Sequence, residues 1–143
     1  MPVKIIFRIL IPTSAGQKMS YETDSLRRIT SASTDNLQLK PNRRPRQNVT
    51  STLRAEQGYD RGHLFGDLFD GSPNLENLVP MEEYVNRSGA FRTLERDWEK
   101  AIKSGQKVSV NIKVNYGNTD VPTSFNVECQ IGSQDVVTEF IKN

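Results

Sequence analysis

The stretch 107–115, KVSVNIKVN, puts Val108, Val110, Ile112 and Val114 at every second position, with polar residues between them. That period of two belongs to a β-strand with one face buried and the other wet. The stretch 124–131, SFNVECQI, repeats the pattern with Phe125, Val127, Cys129 and Ile131. The linking YGNTDVP supplies turn residues, so the two strands are expected to pair as a hairpin. A hairpin cannot bury its apolar face alone, so further strands and a covering layer are required.

The covering layer is found just upstream. In AFRTLERDWEKAIKSG (90–105), Phe91, Leu94, Trp98 and Ala101/Ile102 follow the spacing of one buried helical stripe. Trp98 lies on that stripe and reads as core. Ser88 is a plausible N-cap, and Lys103 followed by Gly105 suits the C-terminus. Residues 3–11 read as a first strand, with short candidate strands at 26–31 and 36–40. The tail VVTEFIKN adds a third strand to the hairpin across GSQD. The fold class is α+β: an antiparallel sheet with one prominent helix.

At 143 residues, 35% hydrophobic and 25% charged, the chain suits one globular domain rather than a disordered one. A net charge of +2 is too mild to argue nucleic-acid binding by itself. Cys129 is the only cysteine and His63 the only histidine. That excludes an intrachain disulfide and a zinc site built from several such ligands. Any metal would be a hard cation held by oxygens, with water filling much of its shell. No segment is long enough to span a membrane. The opening VKIIFRILIP has a superficial likeness to a signal peptide, but Arg8 interrupts the apolar run and Pro12 ends it. It reads as a strand, with no cleavable signal peptide evident.

The lone histidine sits in GYDRGHLF (58–65), and Asn77, Asn86 and Glu95 follow it. Imidazole can deprotonate water near neutral pH. An asparagine carbonyl can hold Mg²⁺ without cancelling its charge, and the ion can stabilise a pentacoordinate phosphate. These residue types therefore suit metal-assisted attack of water on a phosphodiester. A hydrogen-bonded structural histidine is the competing reading.

The run DRGH (60–63), then NLVP (77–80), then N-R-S-G-x-F-x-x-L-E (86–95), resembles the DNA/RNA non-specific endonucleases with the DRGH motif. These are ββα-metal, or His-Me finger, nucleases. The similarity is greatest to the C-terminal nuclease domains of bacterial polymorphic and type VII-secreted toxins, and covers roughly residues 58–131. It implies an embedded ββα-metal motif within one nuclease domain over 1–143. Residues 1–57 would supply N-terminal strands and a basic loop, 58–105 the metal site, and 106–143 the hairpin region.

Carried over by position, the resemblance makes His63 the general base and Asn86 the single direct protein ligand to Mg²⁺, with Mn²⁺ as a substitute. Glu95 orients metal-bound water, and Asn77 steadies the site by hydrogen bonds. Asp60 and Arg61 shape the strand that presents His63, Arg61 being also in reach of phosphate. Gly62 permits a tight backbone there. One departure stands out. Asn86 and Glu95 are nine residues apart, about half a turn out of phase in a regular helix. Asn86 is therefore expected just before the helix, with Ser88-Gly89 absorbing the offset.

The substrate implied is DNA, and RNA as a second substrate. Lys40, Arg43, Arg44 and Arg46, in LKPNRRPRQN (39–48), are candidate contacts to the phosphate backbone, against the alternative of a solvated loop. The toxin resemblance implies secretion within a larger chain, action in a target-cell cytoplasm and a cognate immunity protein as partner. Competing readings are a catalytically inactive nucleic-acid- or partner-binding domain on the same scaffold, and a structural domain with an accidental DRGH.

Overall fold

Val108, Val110, Ile112 and Val114 are buried along one face of β6 (Val108–Tyr116) in the computed structural model, as the alternation requires. β6 pairs antiparallel with β7 (Pro122–Ile131), setting Val110 opposite Cys129 and Ile112 opposite Val127. β8 (Val137–Lys142) adds the expected third strand, with Ile141 opposite Phe125. The structure describes residues 7–13, 16–41, 58–87 and 89–143.

The N-terminal region completes the same sheet. β1 (Phe7–Pro12), β2 (Lys18–Thr23) and β3 (Ile29–Thr34) pair in succession, and β3 pairs with β6. Among the described residues the result is a six-stranded antiparallel sheet in the order β1-β2-β3-β6-β7-β8. Met19, Tyr21 and Ala32 from these strands lie in the core with Ile112 and Val127. Two expectations are corrected here. The strand proposed at 26–31 lies at 29–34, preceded by a tight Asp24–Arg28 turn in which Arg27 has φ 61°. β2 stands where no strand was expected, although Met19 and Tyr21 alternate with polar residues.

The segment proposed as a strand at 36–40 has no regular structure. Its backbone is used elsewhere: the Leu37 N–H donates to Val108 O at 2.7 Å, and that of Lys40 to Leu68 O at 2.9 Å. Of the strand expected at 3–11, residues 3–6 lie outside the described residues, and the rest falls in β1.

The prominent helix is α2 (Ala90–Lys103), which buries Phe91, Trp98 and Ala101. Its N-cap is Gly89 rather than Ser88, which lies outside the described residues. At the other end, Gly105 at φ +85° lets its own N–H and that of Gln106 satisfy Ile102 O and Ala101 O. The Phe91 ring meets Phe125 of β7 edge-on at 5.2 Å, and Trp98 meets Phe69 at 6.0 Å. One helix face therefore joins the large sheet to the loop that follows His63.

Candidate active site

β4 (Tyr59–His63) and β5 (Leu78–Glu82) form a separate two-stranded antiparallel sheet. His63 pairs with Leu78 and Asp60 with Met81. β5 runs directly into the short helix α1 (Glu83–Arg87), and α2 follows after Gly89. The sequence of elements is strand, strand, helix.

His63 ends β4 half-buried, and strand alternation puts Arg61 on its face. Gly62 is required by packing rather than by a turn: a Cβ there would stand 2.7 Å from Met81 Cβ. Asp60 lies on the other face and does more than shape the strand. Its carboxylate accepts from Asn86 Nδ2 at 2.9 Å. It also takes both arms of the Arg87 guanidinium, from Nε at 2.8 Å and Nη2 at 2.8 Å. The Arg87 fork holds the Asp60 carboxyl below the ordinary carboxylate range; partial burial opposes this and the Asn86 amide adds to it.

Asp60 therefore fixes Asn86. A carboxylate only accepts, so the amide must present Nδ2 to it and turn its carbonyl Oδ1 the other way. Asn86 lies ahead of α2, as expected, within the short helix α1, and a break at Gly89 separates α1 from the helix that carries Glu95. Gly89 makes that break. Its backbone is extended at φ −89° and ψ −152°, and a Cβ there would press Tyr84 O at 3.1 Å.

Glu95 projects from α2 onto the loop after β4. Its Oε2 lies 3.0 Å from where a Cβ on Gly66 would stand, three residues beyond His63. That loop is held from beneath by Asn77, which is fully buried. Asn77 Oδ1 accepts from Phe65 N at 2.9 Å, and Nδ2 donates to Phe65 O at 2.7 Å and Ser72 O at 2.8 Å. Gly71 lets the loop close, since a Cβ there would fall 1.9 Å from Phe65 O.

Lys40 has a local partner. Its ammonium meets Asp67 Oδ1 at 3.0 Å, tying the 37–41 segment to the His63 loop, so a carboxylate already matches its charge. Arg43, Arg44 and Arg46 lie outside the described residues. Sequence reasoning missed Arg87, Gly66 and Gly71. The glycines were visible in FGDLFDG, and Arg87 directly follows Asn86. Nothing in the sequence pairs Arg87 with a carboxylate 27 positions away.

The donor chemistry here suits a hard cation. Asn86 Oδ1 is an uncharged oxygen held in place by its own amide's bond to Asp60. Among the described residues no three His, Cys, Asp or Glu side chains are grouped to hold a metal. Water would thus supply most of the shell, as Mg²⁺ prefers.

The model of the family described as DNA/RNA non-specific endonuclease matches residues 10–133. The type VII secretion system protein EssD of Staphylococcus aureus (strain USA300) is 33% identical over 142 residues, covering 93% of this chain and 23% of EssD. EssD of strain Newman is equally similar, with 22% of its length covered. The chain thus spans less than a quarter of these curated relatives. Among solved structures, NucA from Streptococcus agalactiae with magnesium ion bound superposes with a TM-score of 0.72 at 14% identity, covering 99% of this chain and 83% of NucA. An extracellular nuclease gives 0.60 at 20% identity, covering 96% of this chain and 90% of its own. At those identities the structural likeness is one of fold; the motifs and the family match carry the chemistry. This chain belongs to the DNA/RNA non-specific endonuclease family, and it is a nuclease, a hydrolase of phosphodiester bonds.

Proposed function

We propose that residues 1–143 act as one nuclease domain that cuts DNA, and RNA as well, without regard to base sequence, using Mg²⁺ with Mn²⁺ as a substitute. The observation that carries this reading is the convergence on β4. Asn86 is pinned to Asp60 within that strand, and Glu95 lies against the loop that leaves its His63 end. Phosphate and metal are read here rather than base edges, which gives little basis for sequence preference.

Neutral His63 takes a proton from the attacking water. The water oxygen bonds to phosphorus as the bond to the leaving oxygen breaks; the leaving oxygen takes a proton from solvent water, and the imidazole returns its own proton to solvent. Glu95 accepts a hydrogen bond from water and so orients it. Arg61, on the His63 face, offsets charge on the phosphate. Asn86 Oδ1 would hold the cation, which when bound would supply charge stabilisation at the phosphate. Plasmid nicking with and without EDTA tests the reading. Nicking that persists in EDTA, or in His63→Ala, would sink it, and a protein that binds DNA without cutting would establish the inactive-scaffold alternative.

The match to a type VII secretion protein supports a further part of the proposal. The chain is the nuclease segment of a longer secreted toxin, active in a target-cell cytoplasm and held harmless at home by an immunity protein. That partner should be acidic where it faces the phosphate-binding surface, since charge complementarity speeds capture. Expression in a bacterial cytoplasm should arrest growth for wild type and not for His63→Ala. Harmless expression of a protein shown to be active in vitro would exclude the toxin role.

A further inference from the structure

The exposed face of α2 carries Arg92, Arg96 and Lys100 at successive i+4 positions, with Lys103 one turn further. Residues at that spacing line up along one side of a helix. Lys103 is paired with Glu99 at 2.9 Å. Among the described residues no carboxylate forms an ion pair or hydrogen bond with Arg92, Arg96 or Lys100. An open groove runs along this side, lined by Arg96, Glu99, Lys100 and Lys103. Glu95, between Arg92 and Arg96 on the same helix, projects onto the loop after His63, so the row passes beside the candidate site.

We infer that Arg92, Arg96 and Lys100 form a track for the DNA phosphate backbone leading away from the scissile bond. This rests on the nuclease reading above and adds the route of the substrate. From Arg92 to Lys100 the helix advances about 12 Å. Over that length one DNA strand presents about four phosphates, at about 3.4 Å of rise each. Each of the three side chains can thus reach a phosphate along that line. Lys40 is already matched by Asp67, whereas the α2 row has cations without a carboxylate partner among the described residues. The track grips phosphate, so it binds any sequence.

The test is the salt dependence of duplex DNA binding, measured on His63→Ala protein so that the substrate survives. Removing the cation that meets one phosphate should lower the slope of log affinity against log salt by about 0.9. Arg96→Gln and Lys100→Gln should each lower it by about one unit, and Arg92→Gln/Arg96→Gln/Lys100→Gln by about two to three. Lys113→Gln/Lys142→Gln neutralises exposed residues elsewhere, on β6 and β8, and should leave the slope as it was. Circular dichroism melts confirm that each variant is folded; the single variants decide the matter should the triple variant unfold. A normal slope in the α2 variants overturns the track while leaving the nuclease reading intact. A slope lowered equally by the Lys113/Lys142 control overturns it too, since only net charge would then matter. Failure of the His63→Ala parent to bind DNA at all would overturn the nuclease reading and the track with it.

Discussion

Asn86 donates from Nδ2 to Asp60 Oδ2 at 2.9 Å, linking α1 to the strand that carries His63. Because Asp60 is itself clamped by both arms of Arg87, the amide is oriented by a group that cannot easily turn. Partners of this kind, standing behind a metal ligand, commonly control affinity by about 10- to 100-fold. Asp60→Ala should therefore weaken Mg²⁺ binding by roughly that factor, read by calorimetric titration on His63→Ala protein. Equal affinity in the two proteins would remove Asp60 from the metal site.

His63→Ala should lower the nicking rate by about 100- to 10,000-fold, the usual worth of a general base. Its half-buried position at the end of β4 predicts an almost unchanged melting temperature. A variant that unfolds would return His63 to a structural role.

Gly66→Ala tests Glu95 without touching it. The new Cβ would stand 3.0 Å from Glu95 Oε2, and the carboxylate, at the end of a flexible side chain, would have to move. Misplacement near 1 Å can cost about 100-fold; the contact here asks for a smaller shift, so we expect a loss of about 3- to 10-fold in rate with little loss of stability. Combined with Glu95→Gln, it should cost little more than either change alone. Full additivity in that double-mutant cycle would mean that the two act separately.

Asn77→Ala is predicted to act on stability first. It leaves Phe65 N, Phe65 O and Ser72 O without their buried partner, at about 1–3 kcal/mol for each group left unsatisfied. A total loss of about 2–4 kcal/mol, after partial relaxation, should appear in urea unfolding. A loss under about 0.5 kcal/mol would show that the loop is held by other means.

Asp24 gives the fold an acid limit. Burial works against its charge, but the backbone N–H groups of Arg28 and Leu26 and the Arg28 guanidinium outweigh it and hold its carboxyl below the ordinary range. A carboxyl depressed in the folded state contributes stability that is fully present above its unfolded value, about 3.9. That contribution is lost as pH falls through the lower folded value. Urea midpoints should therefore drop below about pH 4, and Asp24→Asn should flatten that drop. An identical acid profile in the variant would place the sensitive group elsewhere.

Periodicity in the sequence settled the β6–β7 hairpin and the buried stripe of α2, because alternation and helical spacing are local and survive in any fold that buries them. The residues DRGH, NLVP, Asn86 and Glu95 pointed to the chemistry through their resemblance, taken in order, to a known nuclease family. Tertiary structure decided the rest. That β1–β3 share a sheet with β6–β8 depended on β3 pairing with β6, a pairing of distant segments that no local pattern encodes. The break between Asn86 and Glu95 falls at Gly89, where a side chain would press on Tyr84 O, a close approach set by the folded chain. The role of Asp60 emerged only when folding brought Arg87 and Asn86 to it across more than twenty residues. Hydrogen bonds are specific in geometry but indifferent to sequence separation, so such partners become legible only after the chain has closed on itself.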